Sequence, residues 1–303
     1  MTDDLLDTLP DDPRWGHGEG PGSEDVRIHY VRMGSGPTVL LLHGWPGFWY
    51  DWRRVLPMVA GKADALAPDL RGFGRSGKPE RPPEEAYNPL ALAADVAAVL
   101  DHLGLSEVVV VAHDIGATVA QALALSVPGV LRAMVLLNPP YLGIGTRRFE
   151  YRIQREHWYQ HFHVQPWSHR LVGHDRETVR IYLAHFYDHW VSRKETVRPA
   201  EFEAIVDEFA RPEAVRAGFD YYRARWVTRQ QEANAGEPGP EGFAIDLPTV
   251  VLWGEDDPVI PVEWSDRIPE FFPNSTMRRL PGVGHFVPFE APDDVVAAID
   301  GVL

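Results

Sequence analysis

Short, almost wholly apolar runs alternate with stretches of helical spacing through the first half of the chain. "VRIHYVRM" (26–33), "TVLLLHG" (38–44), "ADALAPDL" (63–70), "VVVVA" (108–112) and "AMVLLN" (133–138) read as strands. "LALAADVAAVLDHLG" (90–104) has helical periodicity and a glycine stop, and "GATVAQALALSV" reads as another helix. Strands that are apolar on both faces and separated by helices imply a mostly parallel sheet covered on both sides.

After Pro139 the pattern changes. Residues 139–243 are rich in Trp, Tyr, His and Arg, with helix-like stretches and no convincing buried strand. "QQEANAGEPGPEGF" (230–243) reads as a linker or turn. The strand–helix alternation resumes with "PTVVLWGED" (248–256) and "TMRRLPGVGH" (276–285), and "DDVVAAIDGVL" closes the chain as a helix. The pattern therefore predicts one α/β domain, residues 23–138 and 244–303, interrupted by a helical lid over 139–243. Residues 1–22 are expected to form an acidic N-terminal arm, solvated at least over "MTDDLLDTLPDDP".

Composition narrows the partners. A formal net charge of −15 argues against nucleic acid and anionic membranes, both of which need a basic face. The absence of cysteine excludes disulfides and thiolate metal sites. The acidic start lacks the basic and apolar regions of a signal peptide, and no apolar run approaches the roughly 20 residues that span a bilayer. A cytoplasmic location is expected. The sequence leaves the oligomeric state open, with a homodimer one option.

Three segments that follow strands carry candidate chemistry. "AHDIG" must turn the chain sharply from strand to helix, with Asp114 at the apex and small residues, Ala112 and Gly116, on either side. "WGEDDPVIP" places acids after a late strand, and "PGVGHFVPFE" carries His285 in a glycine-flanked loop. Nucleophile, acid, histidine is the chain order of a hydrolase triad built on such a sheet. A lone aspartate at a strand–helix junction is often only an N-cap; the acid and histidine behind it favour a catalytic role.

These motifs, with "HGWPG" (43–47) and "DLRGFGRSGKP" (69–79), resemble the α/β-hydrolase fold family over residues 25–303, and more narrowly its epoxide hydrolase branch. The resemblance implies an α/β-hydrolase fold with a cap, no cofactor and no metal. It also implies that Asp114 attacks carbon to form an alkyl ester. A serine would give an ether and a dead end, whereas the aspartyl ester has a hydrolysable carbonyl belonging to the enzyme. The helix start after Asp114 is expected to help keep the carboxylate ionised. The family's acid sits three residues after the strand-end glycine, which selects Asp257 over Asp256. His285 would activate the hydrolytic water, and the backbone N–H groups of Trp45 and Ile115 would hold the oxyanion. The Trp45–Pro46 bond is expected to be cis.

The lid distinguishes substrates. An epoxide oxygen leaves as a poor leaving group unless it receives a proton or a strong hydrogen bond, and epoxide hydrolases supply this from two lid tyrosines. "HWYQHF" resembles the first tyrosine site and points to Tyr159. "FDYYRARW" resembles the second, where the tyrosine directly precedes arginine, so Tyr222 is preferred over Tyr221. The expected substrate is a small hydrophobic or aromatic epoxide, with water as co-substrate. The alternatives are a haloalkane or haloacetate dehalogenase and a non-catalytic relative that binds a small ligand. Haloalkane dehalogenases typically place a tryptophan after the nucleophile, and fluoroacetate dehalogenases place arginines just beyond it. Ile115 and Thr118 fit neither.

Blander roles suit the remaining candidates. His43 and His113 read as structural histidines bonding backbone near the site. His157/His161 and His185/His189 have i, i+4 spacing but no third ligand, so a metal site is disfavoured. "GFGRSG" lacks the Gly-Lys-Ser/Thr ending of a phosphate loop and reads as a turn.

Overall fold

In the computed structural model, which describes residues 8–235 and 238–303, eight strands form one sheet in the order β1-β2-β4-β3-β5-β6-β7-β8. The strands are β1 His17–Pro21, β2 Arg27–Gly34, β3 Thr38–Leu42, β4 Asp64–Pro68, β5 Val108–His113, β6 Leu131–Leu137, β7 Thr249–Gly254 and β8 Ser275–Leu280. The β1–β2 and β2–β4 pairs are antiparallel; every other pair is parallel. All residues of β3, β4 and β5 are buried, as uninterrupted apolar runs require when helices cover both faces.

Helix boundaries follow local chemistry. Asn88 caps the helix Pro89–His102, its side chain accepting from the N–H groups of Leu90 and Ala91, with Pro89 at the first position. Strand β8 stops at Leu280, five residues before the expected end, because Pro281 and the left-handed Gly282 (φ 67°) turn the chain toward His285.

Two boundaries are corrected. Residues 8–22 are not a free arm. Trp15 is buried edge-on against Trp49, Tyr50 donates to the Thr8 carbonyl, and His17–Pro21 forms the antiparallel edge strand. The acidic residues around Trp15 obscure this, because one large aromatic ring anchors a segment whose composition is polar. Residues 1–7 of the expected arm lie outside the described residues. The "QQEANA" part of the expected linker is helical, since the helix Ala214–Ala235 runs through it. Alanine, glutamine and glutamate favour helix strongly. Residues 236 and 237 lie outside the described residues.

Between β6 and β7 the described residues contain helices and no strand. The principal ones are Trp158–His163, Arg176–Trp190, Pro199–Phe209 and Ala214–Ala235. This helical segment meets the carboxyl ends of the parallel strands, where open α/β sheets place their ligands.

Candidate active site

The turn from β5 into the helix Ile115–Ser126 holds Asp114 at φ 48°, ψ −119°, a conformation rare for a residue with a side chain. The turn lies so close to the end of β3 that a Cβ on Gly116 would come within 2.4 Å of the Leu42 carbonyl oxygen. Glycine there lets the two segments touch. The contact brings the Trp45 N–H to 3.0 Å from Asp114 Oδ2, and the Ile115 N–H also bonds the carboxylate. The Trp45–Pro46 bond is cis.

The second half of the site lies beyond β7 and β8. His285 Nδ1 faces Asp257 Oδ2 at 2.9 Å, both side chains almost fully buried. The other oxygen of Asp257 accepts from the backbone N–H groups of Val259 (2.7 Å) and Ile260 (3.0 Å). Asp256, one residue earlier, turns outward and accepts from the exposed Ser192 hydroxyl. A Cβ on Gly254 would lie 2.3 Å from the Gly284 carbonyl oxygen, so only glycine allows the strand end and the histidine loop to approach this closely.

Electrostatics couple the halves. Burial pushes the Asp114 carboxyl up, opposed by the charge of His285 and by the Trp45 and Ile115 N–H groups; the net direction is upward. The backbone donors are present, as the sequence suggests, but burial outweighs them. Burial pushes His285 down, yet the charge and hydrogen bond of Asp257, with the charges of Asp114 and Glu290, bring it above the usual imidazole range. His113 is buried and held well below that range, chiefly by desolvation.

A cavity of about 80 Å³ opens over Asp114. Its walls include Ile115, Tyr159, Tyr221 and Tyr222, so the structure brings both preferred tyrosines to the aspartate. The ring of Tyr159 stacks on Trp45 at 5.2 Å, and Tyr222 sets its ring edge-on to Tyr159 at 5.6 Å. Gln160 Nε2 donates to the Tyr159 hydroxyl oxygen at 2.9 Å. Tyr221 meets Thr118 Oγ1 at 3.0 Å. Because Thr118 donates its hydroxyl proton to the Ile115 carbonyl, Tyr221 is the donor in that pair. Its proton is thereby directed at the helix after Asp114.

Other expected roles are also placed. His43 bonds the Gly44 carbonyl and accepts from Leu70 N–H, and His113 Nε2 donates to the His285 carbonyl at 2.7 Å. The lid histidines have separate partners: His157 meets the Val259 carbonyl, His161 meets Gln154, and His189 pairs with Glu156 while stacking on His185 at 5.7 Å between ring centroids; among the described residues they form no cluster of three ligands.

The sequence reading misses two kinds of residue. Asn138, at the end of β6, bonds both Asp257 and the His285 carbonyl, and nothing in "LLNPP" marks it beyond a polar residue closing an apolar strand. Arg148, Gln154, Gln160 and Arg225 also line the cavity. They make it more polar than an aromatic-rich segment suggests, since long side chains from several helices reach the same cavity.

A family model described as alpha/beta hydrolase fold matches residues 37–292. A soluble epoxide hydrolase from Corynebacterium sp. (strain C12) is 30% identical over 280 residues, covering 89% of this chain and 91% of that protein. A fluoroacetate dehalogenase from Burkholderia sp is 29% identical over 280 residues, covering 89% and 88%. The solved structure of the epoxide hydrolase CorEH without ligand is similar, with a TM-score of 0.80, 27% identity and coverage of 94% and 97%. The chain belongs to the α/β-hydrolase fold family, in its epoxide hydrolase branch. Among the described residues no helix is long and apolar enough to cross a membrane.

Proposed function

We propose that this hydrolase opens an epoxide to a vicinal diol through an ester on Asp114. The observation that carries the reading is an aspartate at the elbow apex, with one oxygen held by the Trp45 N–H and the cavity tyrosines opposite. With Oδ2 occupied, Oδ1 attacks a ring carbon. The ring C–O bond breaks, and its electron pair goes to the ring oxygen, which takes a proton from Tyr159 or Tyr222. The helical segment acts as a cap that excludes bulk water during this step.

Hydrolysis follows on the enzyme's own carbonyl. His285 removes a proton from water, whose oxygen attacks Cγ of Asp114. The resulting oxyanion at Oδ2 stays on the Trp45 and Ile115 N–H groups. Collapse breaks the ester Cγ–O bond, the leaving alkoxide takes the proton held by His285 and departs as the diol, and the proton of the regenerated carboxyl group restores the tyrosine hydroxyl. The charges offer timing. Before alkylation the Asp114 carboxylate favours the His285 imidazolium. Ester formation removes that charge, leaving His285 freer to act as a base.

His285→Gln should accumulate an enzyme ester, seen by mass spectrometry as an increase of one substrate mass. Asp257→Asn should slow ester hydrolysis strongly, because the group orienting the imidazole is lost. Asp256→Asn, altering an outward-facing residue, should change it little. The opposite ranking in single-turnover kinetics would overturn the choice of acid. Hydrolysis should also require neutral His285. As pH falls through the His285 pKa, which Asp257 still raises once the Asp114 charge is gone, the base becomes protonated and the rate should fall. A rate constant unchanged from pH 8 to pH 5 (roughly the span around an ordinary imidazole) would exclude His285 as that base.

A second reading is dehalogenation of a halo acid. Arg148 and Arg225 on the cavity wall favour it by offering positive charge to a carboxylate. Styrene oxide turnover, measured beside halide release from fluoroacetate and chloroalkanes, separates the two. Halide release without diol formation selects the second.

A further inference from the structure

Asn138 sits where the end of β6 meets the end of β7, the acid loop and the histidine loop. It is fully buried and holds a left-handed backbone (φ 43°) at the end of β6. Its Oδ1 accepts from the Gly254 N–H at 2.8 Å, which fixes the orientation of the amide. Nδ2 therefore faces inward and donates to Asp257 Oδ2 at 2.7 Å and to the Gly284 and His285 carbonyls, each at 3.1 Å. One side chain thus links β6, β7, the acid loop and the histidine loop.

We propose that Asn138 is a positioning residue that sets both the geometry and the basicity of His285 through Asp257. The inference rests on the proposed role of His285 as the hydrolytic base. Asp257 has two acceptor positions on each oxygen. Val259 and Ile260 N–H groups serve Oδ1, while Asn138 and His285 share Oδ2. The carboxylate is thereby complemented by four donors, three of them neutral. Without the amide, its charge is countered less and acts more strongly on the imidazole, favouring the protonated base. The same amide holds the carbonyl of His285, which also accepts from His113. Loss of Asn138 therefore loosens the ring's backbone and raises its affinity for a proton together.

The charged and titratable groups around His285 are few. Asp257, Asp114 and Glu290 act on it, and His113 packs against it at 4.9 Å between ring centroids. Glu290 is bound to the N–H groups of Ser192, Arg193 and Gly284, so it supports the loop rather than the ring nitrogens. Among the described residues Asn138 is the neutral side chain that bonds both the acid and the base's own peptide.

Two variants separate backbone from amide. Asn138→Gly removes the amide and relieves the left-handed backbone; Asn138→Asp keeps the shape but exchanges the N–H donors for an oxygen. The first readout is the imidazole titration of His285 by NMR in the free protein, with its signal identified by its absence in His285→Gln. This readout needs no substrate, so failure of the epoxide reading leaves it interpretable. The expected result is a higher pKa in Asn138→Gly and a higher one still in Asn138→Asp. The second readout is single-turnover kinetics on styrene oxide. Ester hydrolysis at neutral pH should slow by about tenfold or more in both variants, the scale of a lost hydrogen bond to a buried charge. Alkylation should change by less than about threefold, because Asn138 contacts neither Asp114 nor the cavity. An unchanged His285 titration, or equal loss of both steps accompanied by lowered thermal stability, would overturn the proposal in favour of a purely structural asparagine.

Discussion

Asp114→Ala should abolish diol formation, lowering kcat by on the order of 10⁴-fold or more, the scale seen when a catalytic nucleophile is removed. The fold should survive. Asp114 sits in a strained turn and its carboxylate is buried, so truncation removes a desolvated charge and leaves the glycine contacts of the elbow intact. Thermal stability should be retained or raised, since burial already disfavours the ionised form at this position. Isotope labelling gives a second measurement. In a single turnover of wild-type protein in heavy-oxygen water, the new hydroxyl oxygen of the diol should come from Asp114 and be unlabelled. Later turnovers should carry label, because water attack at Cγ leaves a solvent oxygen in the carboxylate. Label in the first diol, or appreciable turnover by Asp114→Ala, would mean direct attack of water and would remove the ester from the mechanism.

The centre of the sheet is readable in the sequence because β3, β4 and β5 are buried on both faces. An uninterrupted run such as "VVVVA" has few other places to go, and β5 extends beyond it by only His113. The edge strand His17–Pro21 has no such signature. Only Gly20 among its five residues is buried, and Pro21 and two glycines dilute the pattern. Asp114, Asp257 and His285 were legible for a related reason: each follows a strand, where the sheet converts sequence order into spatial proximity. Asn138 follows a strand too, yet its role depends on where the Gly254 N–H and the His285 carbonyl arrive from distant parts of the chain. Arg148 and Arg225 were hidden by the same nonlocality. They reach one cavity from separate helices, and no spacing in the sequence encodes that convergence.

The loss of both cavity tyrosine hydroxyls should nearly stop ester formation while sparing ester hydrolysis. Tyr159 and Tyr222 line the cavity with Asp114, and their rings are fixed by mutual edge-to-face contact and by packing on Trp45. Little ordering entropy remains to be lost when substrate binds, so each hydroxyl can act as a preorganised donor. Gln160 donates to the oxygen of Tyr159, which orients the phenolic proton away from the amide and strengthens it as a donor. Tyr159→Phe or Tyr222→Phe alone should raise the alkylation barrier by about 2–4 kcal/mol, or roughly 30- to 1000-fold. The surviving tyrosine still offers one donor to the developing alkoxide; the double variant offers none and should fall much further. In the proposed mechanism ester hydrolysis relies on His285, Asp257 and the backbone N–H groups rather than on these hydroxyls. Tyr221→Phe serves as the comparison: its hydroxyl is directed at Thr118, so it should affect alkylation far less. Rapid-mix kinetics that resolve alkylation from hydrolysis would test the whole set. Normal alkylation in the double variant would assign oxygen activation to other cavity groups. A larger loss in Tyr221→Phe than in Tyr222→Phe would exchange the two tyrosines' roles.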